Sequence, residues 1–176
     1  IVELGEGRLA IAVGDVAGKG MPAALLMALL QGSLRTLLSA GLRGEELMAK
    51  LNAHLCSNIP SNRLITLFYG ELDTATGRLA YVNAGHNPPF LFPDGQRPAR
   101  LGATAMALGI TMETDFPSMS VELDPGDRLV LYTDGITEAR RQGREFGEEG
   151  LRDALRDAAG EGPAQLARSV YAAARP

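Results

Sequence analysis

The chain has 176 residues, 45% of them apolar and 22% charged, a composition that suits one globular domain with a core large enough to need no disulfide or structural metal. A net charge of −4 with no tryptophan argues against a dedicated nucleic-acid surface, which would show a basic face or stacking aromatics. The single cysteine, Cys56, excludes an internal disulfide framework and a multi-cysteine zinc site, so a reducing, cytoplasmic setting is expected.

Arg8 to Val13 is short, apolar and partly β-branched, and predicts a buried strand ending at Gly14. Gly14 to Gly20 reads as a glycine-rich turn. Pro22 then stands where a helix can begin without losing a hydrogen bond, and Ala23 to Ser39 predicts a long helix stopped near Gly41. Its longest apolar run, Met21 to Leu30, is about ten residues, against roughly 20 for a bilayer span. Glu45 to Cys56 predicts a second amphipathic helix, because Leu47, Leu51 and Leu55 recur every fourth residue. Leu64 to Asp73 and Arg78 to Ala84 predict two strands around a Thr74-to-Gly77 turn. Gly85-His86-Asn87-Pro88-Pro89 breaks the second strand, and Phe90 to Phe92 is a short strand before a turn at Pro93, Asp94 and Gly95. Met119 to Leu123 and Asp127 to Thr133 predict a hairpin around Asp124, Pro125 and Gly126. From Gly135 the sequence is helix-rich, with one helix opening near Phe146 and the last at Pro163. The order predicts an α+β domain with helices packed on antiparallel sheet. The absence of an initiator Met and the stop directly after a helical pattern are expected of a piece of a longer polypeptide.

Two carboxylates share one setting. Asp15 and Asp134 each follow an apolar strand pattern, and each has a glycine beside it. Converging strand-end carboxylates suit a hard divalent cation, which takes oxygen ligands. Each is equally consistent with capping the helix that follows it. Gly14 to Gly20 does not have the spacing of a phosphate loop, since Gly14 and Gly18 enclose three residues and Lys19 is followed by Gly20. Lys19 reads as a solvated loop charge. His54 falls on a helical pattern and reads as a surface residue. His86, in its loop, is open to two readings, a general acid or ligand and a buried residue that fixes the loop. No Gly-x-Ser-x-Gly elbow occurs, and Cys56 reads as packing rather than nucleophile.

The run from Gly14 to Ala24 resembles the metal loop of the bacterial SpoIIE/RsbU branch of the PPM family, the metal-dependent serine/threonine protein phosphatases. Four further stretches match in order: Leu64 to Asp73, Tyr81 to Pro89, Leu131 to Ala139, and Phe146 to Glu149. The resemblance implies a four-layer sandwich of two antiparallel β-sheets flanked by α-helices on both faces. It implies two Mn²⁺ or Mg²⁺ ions, with Asp15 bridging them, the Val16 carbonyl as a ligand and Asp134 holding one metal. A metal-activated water would attack phosphorus, with no catalytic side chain of its own. The implied substrate is a phosphorylated STAS-domain protein, an anti-sigma-factor antagonist in a partner-switching pathway, and upstream sensor domains are common in the branch. Lys19 departs from the pattern, standing where many members have His. The family's acidic motifs before Ile1 and beyond Pro176 are outside this sequence, so a phosphatase domain over 1–176 missing its first and last strands is expected. A catalytically inactive pseudophosphatase that docks the same partner is the alternative.

Overall fold

The structure, a computed structural model, describes residues 1–93, 98–141 and 143–175. Residues 94 and 95 of the expected turn after Phe92 lie outside them. The chain forms two units, Ile1–Leu131 and Tyr132–Pro176. The first carries β1 (Val2–Gly5), β2 (Arg8–Val16), α1 (Met21–Ser39), α2 (Gly44–Asn58), β3 (Ile65–Asp73), β4 (Arg78–Ala84), β5 (Phe90–Phe92), β6 (Ala99–Arg100), β7 (Met119–Glu122) and β8 (Arg128–Val130). The second carries α3 (Asp134–Thr137), β9 (Arg140–Arg141), β10 (Arg144–Glu145), α4 (Gly147–Asp157) and α5 (Pro163–Ala174).

In the first unit, β1, β2, β3, β4 and β7 lie side by side in one antiparallel sheet, and β6, β5 and β8 form a second. Side chains alternate across a strand, and β3 uses both faces. Ile65, Leu67 and Tyr69 pack with Leu30, Leu34 and Leu38 of α1 and Leu47, Leu51 and Leu55 of α2. Phe68 and Leu72 turn the other way, to Leu79, Tyr81, Leu101, Leu129 and Leu131 in the space between the sheets. Phe68 and Tyr81 stack there with ring centroids 5.4 Å apart. α1 is long and apolar enough to cross a membrane by length and composition alone. Its Gln31, Ser33 and Arg35 interrupt the run, and its inner stripe is buried on the sheet, although Met21 and Leu25 are 72% and 64% exposed.

Polar links set where α2 begins. The buried Tyr69 hydroxyl donates to Glu71 Oε1 at 2.6 Å, and the Gly44 N–H donates to the same oxygen at 2.7 Å. Burial, and then this bond to a carboxylate, raise the Tyr69 pKa far above the ordinary phenol range. Glu45, in the first turn of α2, accepts from the Ser118 N–H and hydroxyl at 2.8 and 2.9 Å, and the backbone bond in particular lowers its pKa.

Two expectations need correction. The strand begun at Arg8 does not end at Gly14 but runs through Asp15 to Val16. Gly14 pairs with Leu67, where a side chain would crowd the Thr66 carbonyl and the Leu30 and Leu67 methyls at about 3 Å. Nor do β7 and β8 form a hairpin. The turn exists, with the Asp127 N–H on the Asp124 carbonyl at 3.0 Å, but β7 pairs with β4 and β8 with β5. Val121 and Leu123 before the turn, and Leu129 and Leu131 after it, all point into the same interior from opposite sheets. The chain therefore turns a corner of the sandwich. In the second unit α4 and α5 open close to where the sequence placed them, burying Leu151 and Leu155, and Leu166, Val170 and Ala174. The short β9–β10 pair ahead of them was not expected from a helix-rich pattern.

Leu51 is fully buried between helix and sheet, so Leu51→Ala should cost about 2–5 kcal/mol in a urea titration with an unchanged slope. Because the folded pKa of Glu45 is depressed, its bond to Ser118 contributes above the ordinary carboxylate range and is lost as pH falls through the folded value. Amide exchange at Ser118, corrected for intrinsic rate, should therefore accelerate in acid in the wild type, and Glu45→Gln should flatten that response.

Candidate active site

Asp15 stands near the end of β2 on the face that looks between the two sheets, directly opposite Thr66 of β3. It is half-buried, and its Oδ1 accepts the Val16 N–H at 2.7 Å. That bond fixes the rotation of the carboxylate. It also answers the helix-cap alternative for this residue, because α1 is capped at Gly20 with no side-chain bond. The Ala17 N–H donates to the Leu64 carbonyl at 3.1 Å. By the alternation of an antiparallel ladder, Val16 then turns its N–H and carbonyl to the opposite edge of β2. β1 covers that edge only as far as Ala10. The Val16 side chain meanwhile is buried among the helices at 6% exposure, which anchors the backbone it shares with the site.

The loop after Val16 is held from the segment just before β3. Arg63 Nη1 donates to the Ala17 carbonyl at 2.8 Å. Gly18 lies beneath that guanidinium with φ +118°, and a Cβ there would collide with Nη1. Lys19 is exposed, as its loop position predicts.

His86 is buried, at 2% exposure, and its Nδ1 lies 2.9 Å from Thr66 Oγ1. Its backbone N–H donates to Asn83 Oδ1 at 2.8 Å. Asn83, fully buried on β4, also donates through Nδ2 to the Leu101 carbonyl at 3.2 Å, and its own carbonyl accepts the N–H groups of Thr104 and Ala105. Of the two readings of His86, the structure gives the loop-fixing one its partners. His54 is exposed on α2, and the Cys56 thiol lies 3.7 Å from Asn52 Oδ1. Asp134 lies in the second unit, exposed, as the first residue of α3. Its carbonyl accepts the Glu138 N–H at 2.7 Å and the Thr137 hydroxyl at 3.2 Å. The strand expected to carry it ends earlier, at Val130.

A carboxylate with fixed rotation and a neighbouring carbonyl on a strand edge that β1 does not reach are hard oxygen donors, the type that Mg²⁺ and Mn²⁺ take. The residues fit such an ion in kind. Among the described residues, no three His, Cys, Asp or Glu side chains cluster into a cage. The sequence singled out Asp15 and Asp134, and the family resemblance added Val16, but neither marked Thr66, Arg63 or Asn83, whose signal is cross-strand register.

The sequence profile of the family described as Stage II sporulation protein E (SpoIIE) matches residues 5–176. Protein IcfG of Synechocystis sp. is 31% identical over 180 residues, covering 86% of this chain and 28% of that protein. Phosphoserine phosphatase RsbU of Bacillus subtilis is 32% identical over 133 residues, covering 75% of this chain and 40% of its own. A solved structure of the RsbU and RsbW domains of a Mycobacterium tuberculosis protein superposes with a TM-score of 0.81 at 29% identity, over 95% of this chain and 47% of that one. The chain thus spans less than half the length of each of these three.

Asn83→Ala would leave the His86 N–H and the Leu101 carbonyl without their side-chain partner. A loss of about 1–3 kcal/mol in chemical denaturation is expected, far more than for a surface asparagine.

Proposed function

Since the chain belongs to the SpoIIE family, the SpoIIE/RsbU branch of the PPM phosphatases, we propose that it hydrolyses phosphoserine or phosphothreonine on a protein substrate in a divalent-metal-dependent reaction. The observation that carries this reading is the carboxylate of Asp15, locked by the Val16 N–H at the end of a central strand between two sheets. RsbU, a relative with 32% identity, is named a phosphoserine phosphatase. The substrate we favour is a phosphorylated STAS-domain protein of a partner-switching pathway, the partner that the resemblance implies.

In this reading Asp15, the Val16 carbonyl and Asp134 are metal ligands. Bound Mn²⁺ or Mg²⁺ would supply neutralisation of the phosphate charge and a water acidified toward neutral pH. The chain's own residues do the positioning. The Val16 N–H holds one Asp15 oxygen, so the carboxylate loses less orientational entropy when its partner arrives. Arg63 ties Ala17 to the chain just before β3 and so holds the loop that follows the ligands. With a water as the nucleophile, no covalent intermediate on Cys56 or a serine would be required.

The test is Mn²⁺-dependent release of phosphate from a phosphoserine protein by the full-length protein. Asp15→Asn and Asp134→Asn should each lower kcat/KM by at least about 100-fold, roughly 2.7 kcal/mol of barrier, with an unchanged far-UV spectrum. Full turnover in either variant would contradict that residue's assignment. Absence of Mn²⁺ binding and turnover in the wild type would favour a docking module without catalysis.

A further inference from the structure

We propose that Thr66 and His86 act as a linked pair of positioning residues for Asp15. The inference rests on the reading of Asp15 as a metal ligand and adds the residues that hold it in place. Thr66 and Asp15 are directly opposite in the β2–β3 ladder, and their side chains share the face between the sheets. The Thr66 hydroxyl has two neighbours, His86 Nδ1 at 2.9 Å and the Asp15 carbonyl at 3.5 Å. The first is a full hydrogen bond and the second only a limiting contact. Either imidazole tautomer makes the same link, with the hydroxyl donating to Nδ1 or accepting from it.

The far end of the link is fixed as well. His86 is buried, its N–H is held by Asn83 Oδ1 at 2.8 Å, and Pro88 and Pro89 limit the backbone beyond it. Asn83 sits on β4, Thr66 on β3 and Asp15 on β2, so polar groups of three adjacent strands meet here, the last step being the 3.5 Å contact from Thr66 to the Asp15 backbone carbonyl. Further along the same face Phe68, Leu79 and Tyr81 make an apolar interior. A buried imidazole costs free energy unless hydrogen-bonded, and stability alone would be served by continuing that apolar packing. The polar substitution occurs at the end of the sandwich that holds Asp15. Groups one step removed from a metal ligand set its orientation, and losing one typically weakens metal affinity by roughly 10–100-fold.

The experiment is Mn²⁺ titration calorimetry on the full-length protein, with thermal melts of each metal-free variant to confirm the fold. Thr66→Val is close in volume and deletes the hydroxyl, so affinity should fall about 10-fold or more, whereas Thr66→Ser should stay within about 2-fold of wild type. His86→Gln should lose a similar amount. The double variant should be no weaker than the weaker single, because both changes break one link. Wild-type affinity in Thr66→Val, failure of Thr66→Ser to restore it, or losses that multiply in the double variant would overturn the proposal. Asp15→Asn is the reference. If it binds Mn²⁺ like the wild type, the metal reading itself fails, and this inference with it. If it abolishes binding while Thr66→Val does not, only the inference fails.

Discussion

Everything in the first unit depends on β3 being buried on both faces. A strand with one wet face could support a single sheet with helices on it. β3 instead presents Ile65, Leu67 and Tyr69 to the helices and Phe68 and Leu72 to the second sheet, and it pairs along most of its length with β2 and β4. This strict alternation leaves little freedom of register, since a slip by one residue would exchange the two apolar sets. The fixed register in turn decides what stands opposite what. Thr66 faces Asp15 because Leu67 faces Gly14 and Phe68 faces Val13. The geometry of the candidate site is thus a consequence of core packing several residues away.

Asp15 illustrates how a carboxylate is made ready at low cost. A half-buried position limits its exposure to water, yet its charge is not sealed in the core. The Val16 N–H holds one oxygen, and the Val16 carbonyl faces an edge that β1 does not cover. The two donors therefore come from adjacent residues of one rigid strand, which places them more reliably than a loop could. The glycine that follows, Gly18, adopts a φ that L side chains avoid, and the Arg63 guanidinium occupies the space a side chain would need.

Much of this was legible in the sequence because it rests on local signals. The helices α1 and α2 follow from apolar spacing, a proline near the first start and glycines between them. The turn at Asp73 to Gly77 follows from side-chain chemistry, with Asp73 Oδ1 accepting the N–H groups of Ala75 and Thr76 at 2.9 and 3.0 Å. What could not be read is what depends on distant pairing. The turn at Asp124 to Asp127 was recognisable, but whether it joined strands of one sheet or of two was decided by β4 and β5, more than 30 residues earlier. The contacts of Asn83 and Thr66 were hidden for the same reason, since a buried asparagine or a half-buried threonine in a strand pattern carries no mark of its partner. Asp15 and Asp134 were singled out by their position after apolar strand patterns. In Asp15 that position proved to be inside the strand, and in Asp134 at the head of a short helix.

The central claim, that the end of β2 holds a divalent metal, is tested most directly by a crystal structure of the full-length protein grown with Mn²⁺, with data collected near the manganese absorption edge. The account predicts an anomalous peak at coordination distance, about 2.0–2.3 Å, from an Asp15 carboxylate oxygen, with the Val16 carbonyl within its shell. A manganese peak remote from Asp15, or a fully ordered Asp15 with only the Val16 N–H and water around it at saturating Mn²⁺, would contradict it.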